Sequence, residues 1–189
     1  MEAVLFLKPS TALIHDGGTF LIPSFSTEVQ HELEMVLLIG KGGKRIEAAK
    51  AKEHIAGVAV GLDMTARDLQ RAAKEHGLPW ATAKGFDTSA PVSEFIPVGD
   101  GIDPDAVELT LTVNGSVRQT CNTADMILPS AAIVSYVSRF FPLSEGDLVY
   151  TGTPAGVRPV KDGDTMEIAL GELTTASFDV REELETEKC

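Results

Sequence analysis

Two glutamates two residues apart, Glu32 and Glu34 in Val29-Gln30-His31-Glu32-Leu33-Glu34, are the residues of this chain whose types and spacing first suggest chemistry. They lie in the run 29–39, where Leu33, Met35, Leu37 and Ile39 recur at period two. That period is the signature of a strand with one buried face. On such a strand both carboxylates leave the face opposite the apolar side chains, and His31 points away from them. Adjacent carboxylates repel, so their ionised forms call for a shared cation or for raised pKa values. A solvent-facing acidic edge has the same pattern, although Val36 and Leu38 on the glutamate face speak against a solvated surface. Asp63 ends the apolar run Ile55–Leu62, just before a helix. A scaffold of that kind holds an acid rigidly, and the helix N-terminus adds a positive end. As an alternative, Asp63 is a second N-cap of that helix. Three carboxylates with no Cys or His pattern beside them suit a hard, oxygen-loving ion, Mg²⁺ or Mn²⁺.

Further polar groups surround these three in the sequence. Arg67 and Gln70 fall in the first turns of the helix after Asp63, and Lys84 follows the turn Gly77-Leu78-Pro79-Trp80. Cations and an amide near an ion can hold a substrate carboxylate or carbonyl; as ordinary surface helix residues Arg67 and Gln70 would look the same. Thr151-Gly152-Thr153-Pro154-Ala155-Gly156-Val157 leaves a strand and could present N–H groups to an anion, as could a plain loop. It lacks the Gly-Lys-Ser/Thr ending of a P-loop. The chain also has no Cys-x-x-Cys, His-Glu-x-x-His, Gly-x-Ser-x-Gly or dinucleotide fingerprint.

The elements that must position these groups are mostly strands. Residues 4–8 read as a short strand stopped by Pro9, and 29–39 as one long strand. A short helix is expected over 47–54, and Ile55–Leu62 reads as a buried strand. Thr65-Ala66-Arg67-Asp68 has capping-box spacing, and Leu69, Ala72, Ala73 and His76 lie on one stripe of a helix closed by Gly77 and Pro79. Residues 107–113 and 116–120 flank Asn114-Gly115, the sequence of a type I′ hairpin. Ile133, Val137, Phe140 and Phe141 predict a helix behind Pro129-Ser130. Strands are expected at 147–151, Thr165–Leu170 and 174–180. The Pro-containing stretch 85–105 has no periodicity, and a long irregular passage in a compact domain usually belongs to a site or is disordered. Few short helices among many strands fit a mixed α+β domain on a curled sheet better than an alternating βαβ domain.

Composition bounds the rest. The 189 residues make one domain with a sizeable core, and 43% hydrophobic with 23% charged residues is a globular balance. With 28 acidic and 16 basic residues the net charge is −12 and the pI about 4.7. Nucleic acid is excluded as a partner on that charge, since the cluster Lys41–Arg45 is diluted by glycines. No apolar run reaches the roughly 20 residues of a membrane helix. The start lacks the blocks of a signal peptide. Two cysteines, Cys121 and Cys189, make no disulfide framework, so a reducing compartment is expected.

Seven segments, in order, resemble the fumarylacetoacetate hydrolase family and its small acylpyruvase branch. They are Phe6-Leu7-Lys8-Pro9-Ser10, His31-Glu32-Leu33-Glu34, Leu62-Asp63-Met64-Thr65-Ala66-Arg67-Asp68, Gly77-Leu78-Pro79-Trp80, Ala83-Lys84-Gly85-Phe86 with Pro91-Val92-Ser93, Val113-Asn114-Gly115, and Thr151-Gly152-Thr153-Pro154. The resemblance implies one catalytic domain over 1–189, a curled mixed β-roll paired as a homodimer. It implies divalent-metal ligands at Glu32, Glu34 and Asp63, and 2-oxo acid contacts at Arg67, Gln70, Lys84 and Thr153, with Lys84 also sharing the charge of an enolate. The implied reactions are hydrolysis of acylpyruvates and decarboxylation of oxaloacetate, in the cytoplasm or, for a form with a targeting segment, the mitochondrion.

Family members that hydrolyse carry a histidine–glutamate pair on a lid upstream of the Phe-Leu-Lys-Pro-Ser motif. Only Met1 to Leu5 precede that motif here, with no histidine, and His15, His54 and His76 are no substitutes. The lid segment is therefore expected to be missing, and decarboxylation, which needs no attacking water, to outlast hydrolysis. The alternative is a catalytically silent relative that binds metal and 2-oxo acid.

Overall fold

The computed structural model describes residues 3–99 and 101–183. Residues 3–9 form no strand, contrary to the expectation for 4–8. Val4 and Leu7 stand exposed, and the segment is held by the Lys8 side chain rather than by a ladder. A 3₁₀ turn, Ser10–Ala12, leads into β1 (Leu13–Ile14) and then β2 (Thr19–Ile22). The expected long strand is two strands, β3 (Val29–His31) and β4 (Leu33–Ile39), broken at Glu32. β3 pairs with β6 (Thr65–Ala66), whereas β4 pairs with β5 (Ile55–Leu62). Glu32 marks the place where the chain leaves one sheet for another, which a period-two pattern cannot reveal because the alternation continues through it. The helix expected at 47–54 is a 3₁₀ helix, Ala48–His54.

α1 runs Arg67–His76 and ends at Gly77, and α2 is the short Ala81–Lys84. No capping box forms at the start of α1: Ala66 occupies the N-cap without a side-chain bond. Thr65 has instead joined β6, and its hydroxyl donates to the Asp63 carbonyl at 3.1 Å. Asp68 accepts from the Ser26 hydroxyl at 2.6 Å and from Thr27 N at 2.8 Å. The stripe faces the core only in part. Gln70 and Ala73 are buried, while Ala72 and His76 are exposed. The helix meets the interior with Gln70 as well as Ala73, and Leu69 packs half-buried against the core.

β7 (Ala90–Pro91) and β8 (Ile96–Pro97) are two-residue pairings in the otherwise irregular stretch. The hairpin β9 (Glu108–Val113) and β10 (Ser116–Asn122) is as read, with φ of 51° at Asn114 and 72° at Gly115. α3 (Ser130–Phe140) is the helix behind Pro129. β11 (Leu148–Tyr150), β12 (Arg158–Pro159), β13 (Thr165–Leu170) and β14 (Thr174–Glu182) complete the order.

The strands assemble as β10-β9-β13-β14-β2, β11-β4-β5-β8, β12-β3-β6 and β1-β7. The main core collects the inner faces of the first two sheets: Leu111, Met166, Ile168 and Phe178 from one, Met35, Leu37, Val58 and Val60 from the other. A smaller apolar cluster lies on the opposite face of β4 and β5, where Val36 and Ala59 meet Val92 and Tyr150. The face of β4 that carries Glu34 is therefore covered, not solvated. Gly61 makes this possible. It pairs with Glu34 across the ladder, and a Cβ there would lie 2.8 Å from Val36 Cγ2 and 2.9 Å from the Pro91 carbonyl. No helix of the described residues is long and apolar enough to cross a membrane. Cys121 is a half-buried free thiol, and Cys189 lies outside the described residues.

Candidate active site

The sheet changeover at Glu32 brings three acids together. The Asp63 N–H donates to the Glu32 carbonyl at 2.9 Å, tying the end of β5 to the break between β3 and β4. One carboxylate oxygen from each of Glu32, Glu34 and Asp63 then lies within 4.8 Å of the others, and all three residues are buried. His31 faces the other way and bonds Gln119 at 2.8 Å.

Lys84, 2% exposed, stands among these acids at the end of α2. Its ammonium donates to Glu32 Oε2 at 2.8 Å, Asp63 Oδ2 at 2.5 Å and Thr65 Oγ1 at 2.6 Å, which uses all three of its protons. Lys8 is a second cation, from the Phe6-Leu7-Lys8-Pro9-Ser10 segment, and nothing local in the sequence marks it for the site. Its Nζ lies 2.9 Å from Asp63 Oδ1 and donates to the Ser89 carbonyl at 2.9 Å and to the Lys84 carbonyl. Arg67 closes the outer side, with Nη2 2.5 Å from Glu32 Oε1, Nη1 donating to Gln70 Oε1 at 2.7 Å and Nε to Gln30 Oε1 at 2.8 Å. From the loop after β11, Gly152 N donates to Glu34 Oε2 at 2.7 Å.

The electrostatics are uneven. Burial raises the Glu32 pKa, but the neighbouring Lys84 and Arg67 outweigh it and leave the group below the usual carboxylate range. Asp63 stays above its ordinary value because burial outweighs Lys8 and Lys84. Glu34 is pushed up to about 8 by burial and the Asp63 charge. Among the described residues the ion pairs of the site reach Glu32 and Asp63 but not Glu34. Burial also pulls Lys8 down and pushes the Tyr150 phenol up, the latter with help from Glu34.

All seven residues singled out by sequence line one cavity of about 1260 Å³: Glu32, Glu34, Asp63, Arg67, Gln70, Lys84 and Thr153. Arg67 and Gln70 are drawn into the site rather than left on the surface, with Gln70 4% exposed. The cavity has an aromatic wall, Phe6 with its ring 4.8 Å from Lys84 Nζ and 6.2 Å from the ring of Trp80. No histidine is among the described residues that line it.

Three observations fit a divalent cation. The acids converge within coordination reach, no ion pair among the described residues reaches Glu34, and Asp63 Oδ1 has no aligned hydrogen bond despite its contact with Lys8. An all-oxygen donor set favours Mg²⁺ or Mn²⁺ over softer ions.

A buried acid trio facing a cavity with lysine, arginine and amide donors is the equipment of an enzyme that handles a small anion. Residues 1–181 match the family model described as Fumarylacetoacetate (FAA) hydrolase C-terminal, and the chain belongs to that family of enzymes. It is 46% identical over 180 residues to a Mus musculus protein named oxaloacetate tautomerase FAHD1, mitochondrial, a match covering 95% of this chain and 81% of that one. The relative of the same name from Arabidopsis thaliana is 44% identical over 95% of this chain and 80% of its own length. Among solved structures, fumarylpyruvate hydrolase from Pseudomonas aeruginosa, in complex with Mn²⁺ and pyruvate, superposes with a TM-score of 0.88 at 42% identity, covering 94% and 78% of the two chains. The 5-carboxymethyl-2-hydroxymuconate delta-isomerase of Mycobacterium smegmatis gives 0.90 at 37% identity over 98% and 71%.

Proposed function

We propose that this chain converts small 2-oxo acids through an enolate at C2–C3, with a divalent ion held by Glu32, Glu34 and Asp63. The single observation that carries the reading is the convergence of those three buried carboxylates beside the Lys84 ammonium. When bound there, Mg²⁺ or Mn²⁺ supplies Lewis-acid stabilisation of the charge that develops on the keto oxygen. Lys84, fixed by three bonds, presents a positive charge to the same oxygen, and a charge in so dry a place acts more strongly than in water. Arg67 and Gln70 supply donors for the substrate carboxylate from one side of α1, and Thr153 supplies a hydroxyl from the opposite loop. Phe6 and Trp80 keep water from the reacting carbons.

Oxaloacetate illustrates the chemistry. In decarboxylation the C3–C4 bond breaks, its electron pair forms the C2–C3 enolate, and CO₂ leaves; a proton then returns to C3. In tautomerisation, the reaction named for the mouse and Arabidopsis relatives, a proton leaves C3 and one is added at oxygen. That second reaction passes through the same enolate and has no separate mark in the sequence. Acylpyruvate hydrolysis needs in addition a base that activates water against the acyl carbonyl. With no histidine among the described lining residues, oxaloacetate turnover is expected to exceed acylpyruvate cleavage.

The test assays the purified chain with Mg²⁺, with Mn²⁺ and with chelator, following loss of oxaloacetate enol absorbance, CO₂ release and acylpyruvate cleavage. Divalent-dependent oxaloacetate turnover supports the reading. Brisk acylpyruvate cleavage beside no oxaloacetate turnover contradicts the expected preference, turnover that chelator leaves unchanged contradicts the reading itself, and ion binding without any turnover identifies the silent relative instead. The homodimer implied by the resemblance is a separate proposal, checked by sedimentation.

A further inference from the structure

β10 interrupts its own alternation at one residue. Its register against β9 shifts between Val117 and Gln119: Val117 pairs with Thr112 and Gln119 with Leu111, so Arg118 is extra. A bulge of this kind re-aims the side chain that follows it. Gln119 is accordingly 2% exposed in a strand whose other residues are exposed or half-buried.

Every hydrogen-bonding position of the Gln119 amide is used. Oε1 accepts from Leu33 N at 3.0 Å and meets His31 Nδ1 at 2.8 Å. Nε2 donates to Thr153 Oγ1 at 2.9 Å and to the Pro154 carbonyl at 3.1 Å. A backbone N–H can only donate, so the atom facing Leu33 is the oxygen, and the amide nitrogen faces Thr153. Thr153 must then accept, which leaves its own proton free to donate into the cavity. The loop also sits flush against the bulge, for a Cβ at Gly156 would lie 2.7 Å from the Arg118 carbonyl and 3.1 Å from Gln119 Cγ.

We propose that Gln119 is a positioning residue, clamping the 151–154 loop to the Glu32–Glu34 strand break and turning the Thr153 hydroxyl into a donor for the substrate anion. The substrate part of this rests on the function proposed above. Gln119 lies 86 residues from Leu33 and 34 from Thr153, so it spans three distant pieces of chain.

Oxalate, a planar mimic of the enolate, serves as the probe on the Mg²⁺-loaded full chain. Gln119→Met keeps the volume and removes all four contacts, and Thr153→Val removes one end. Each variant is expected to bind oxalate about tenfold more weakly, the loss of one hydrogen bond to a charged ligand. The double variant is expected to lose about tenfold as well, since both changes remove the same donor. Affinity within twofold of wild type in Gln119→Met, or a hundredfold loss in the double variant, overturns the proposal.

Amide exchange on the ion-free chain provides the readout that does not depend on the substrate. Residues 151–157 are expected to exchange at least tenfold faster in Gln119→Met while β4 and β5 stay protected, and unchanged exchange overturns the clamp. If wild type itself binds no oxalate with Mg²⁺, the proposed function and the donor role fall together, and exchange alone judges the clamp. Should Gln119→Met not fold, Thr153→Val is read by the same exchange, with the same two outcomes.

Discussion

Among the described residues, two places hold one lysine between two carboxylates. Lys52 lies 3.1 Å from Asp103 and 2.9 Å from Asp105, with its side chain 53% exposed. Lys84 lies 2.8 Å from Glu32 and 2.5 Å from Asp63, with its side chain 2% exposed. The distances are alike and the environments are opposite. Water around Lys52 screens the attraction, so such a pair contributes about 0–1 kcal/mol. Around Lys84, with so little of its side chain exposed, that screening is weak, and bringing three acids and their cations inside costs several kcal/mol per ion before attraction offsets it. A fold that only needed stability would place apolar side chains there. Burial of this charge is the mark of a site kept for what it binds.

That contrast can be broken by experiment, and the largest effect is expected at Lys84. Lys84→Met leaves buried Glu32 and Asp63 short of a cation, so the ion-free chain is expected to lose about 3–5 kcal/mol in denaturant melts. Its oxaloacetate turnover, measured with Mg²⁺ present, is expected to fall roughly 10²–10³-fold. A loss no larger than at Lys52 would remove the distinction between the two clusters.

Glu34 sharpens it through pH. Its pKa is raised from 4.5 to about 8, so the folded chain holds a proton that the unfolded chain releases near 4.5. The stability this contributes is complete below 4.5 and is lost as pH rises to about 8. The ion-free chain is therefore expected to melt lower at pH 8 than at pH 5, and Glu34→Gln to flatten that slope. An equally steep slope in the variant assigns it elsewhere.

Thr65→Val is a smaller change of the same kind. It leaves one Lys84 proton without its acceptor and is expected to cost about 1–3 kcal/mol, read by thermal melts. Lys52→Met is the smallest, expected to shift stability by less than about 1 kcal/mol and by less still in high salt.

The sequence made the acids legible because their signals are local. Glu32 and Glu34 share a two-residue spacing, and Asp63 ends an apolar run; the structure brings both features to one point. Arg67 and Gln70 stand out by following Asp63 on a helix, Lys84 and Thr153 by lying in matched motifs, and all line the same cavity. What stayed hidden depends on partners far along the chain. Period two runs unbroken through residue 32, so the change of sheet there has no local mark. Thr65 reads as a cap by its spacing to Asp68, yet Asp68 is taken by Ser26 and Thr27, and the hydroxyl turns to Lys84. Lys8 sits in a motif but meets Asp63 across 55 positions, and Gln119 owes its inward course to a bulge in its strand. The burial of Gln70 on α1 has no local mark either, because it depends on the Arg67 guanidinium that its amide oxygen meets.

Calorimetric titration of the purified chain with Mg²⁺, alongside Asp63→Asn, most directly tests whether the three acids form one cation centre. The account predicts saturable 1:1 binding that stabilises the wild type by about 2.7 kcal/mol at a hundred times the dissociation constant, and no such binding in the variant. Equal binding by both, or none by the wild type with Mg²⁺ or Mn²⁺, would contradict it.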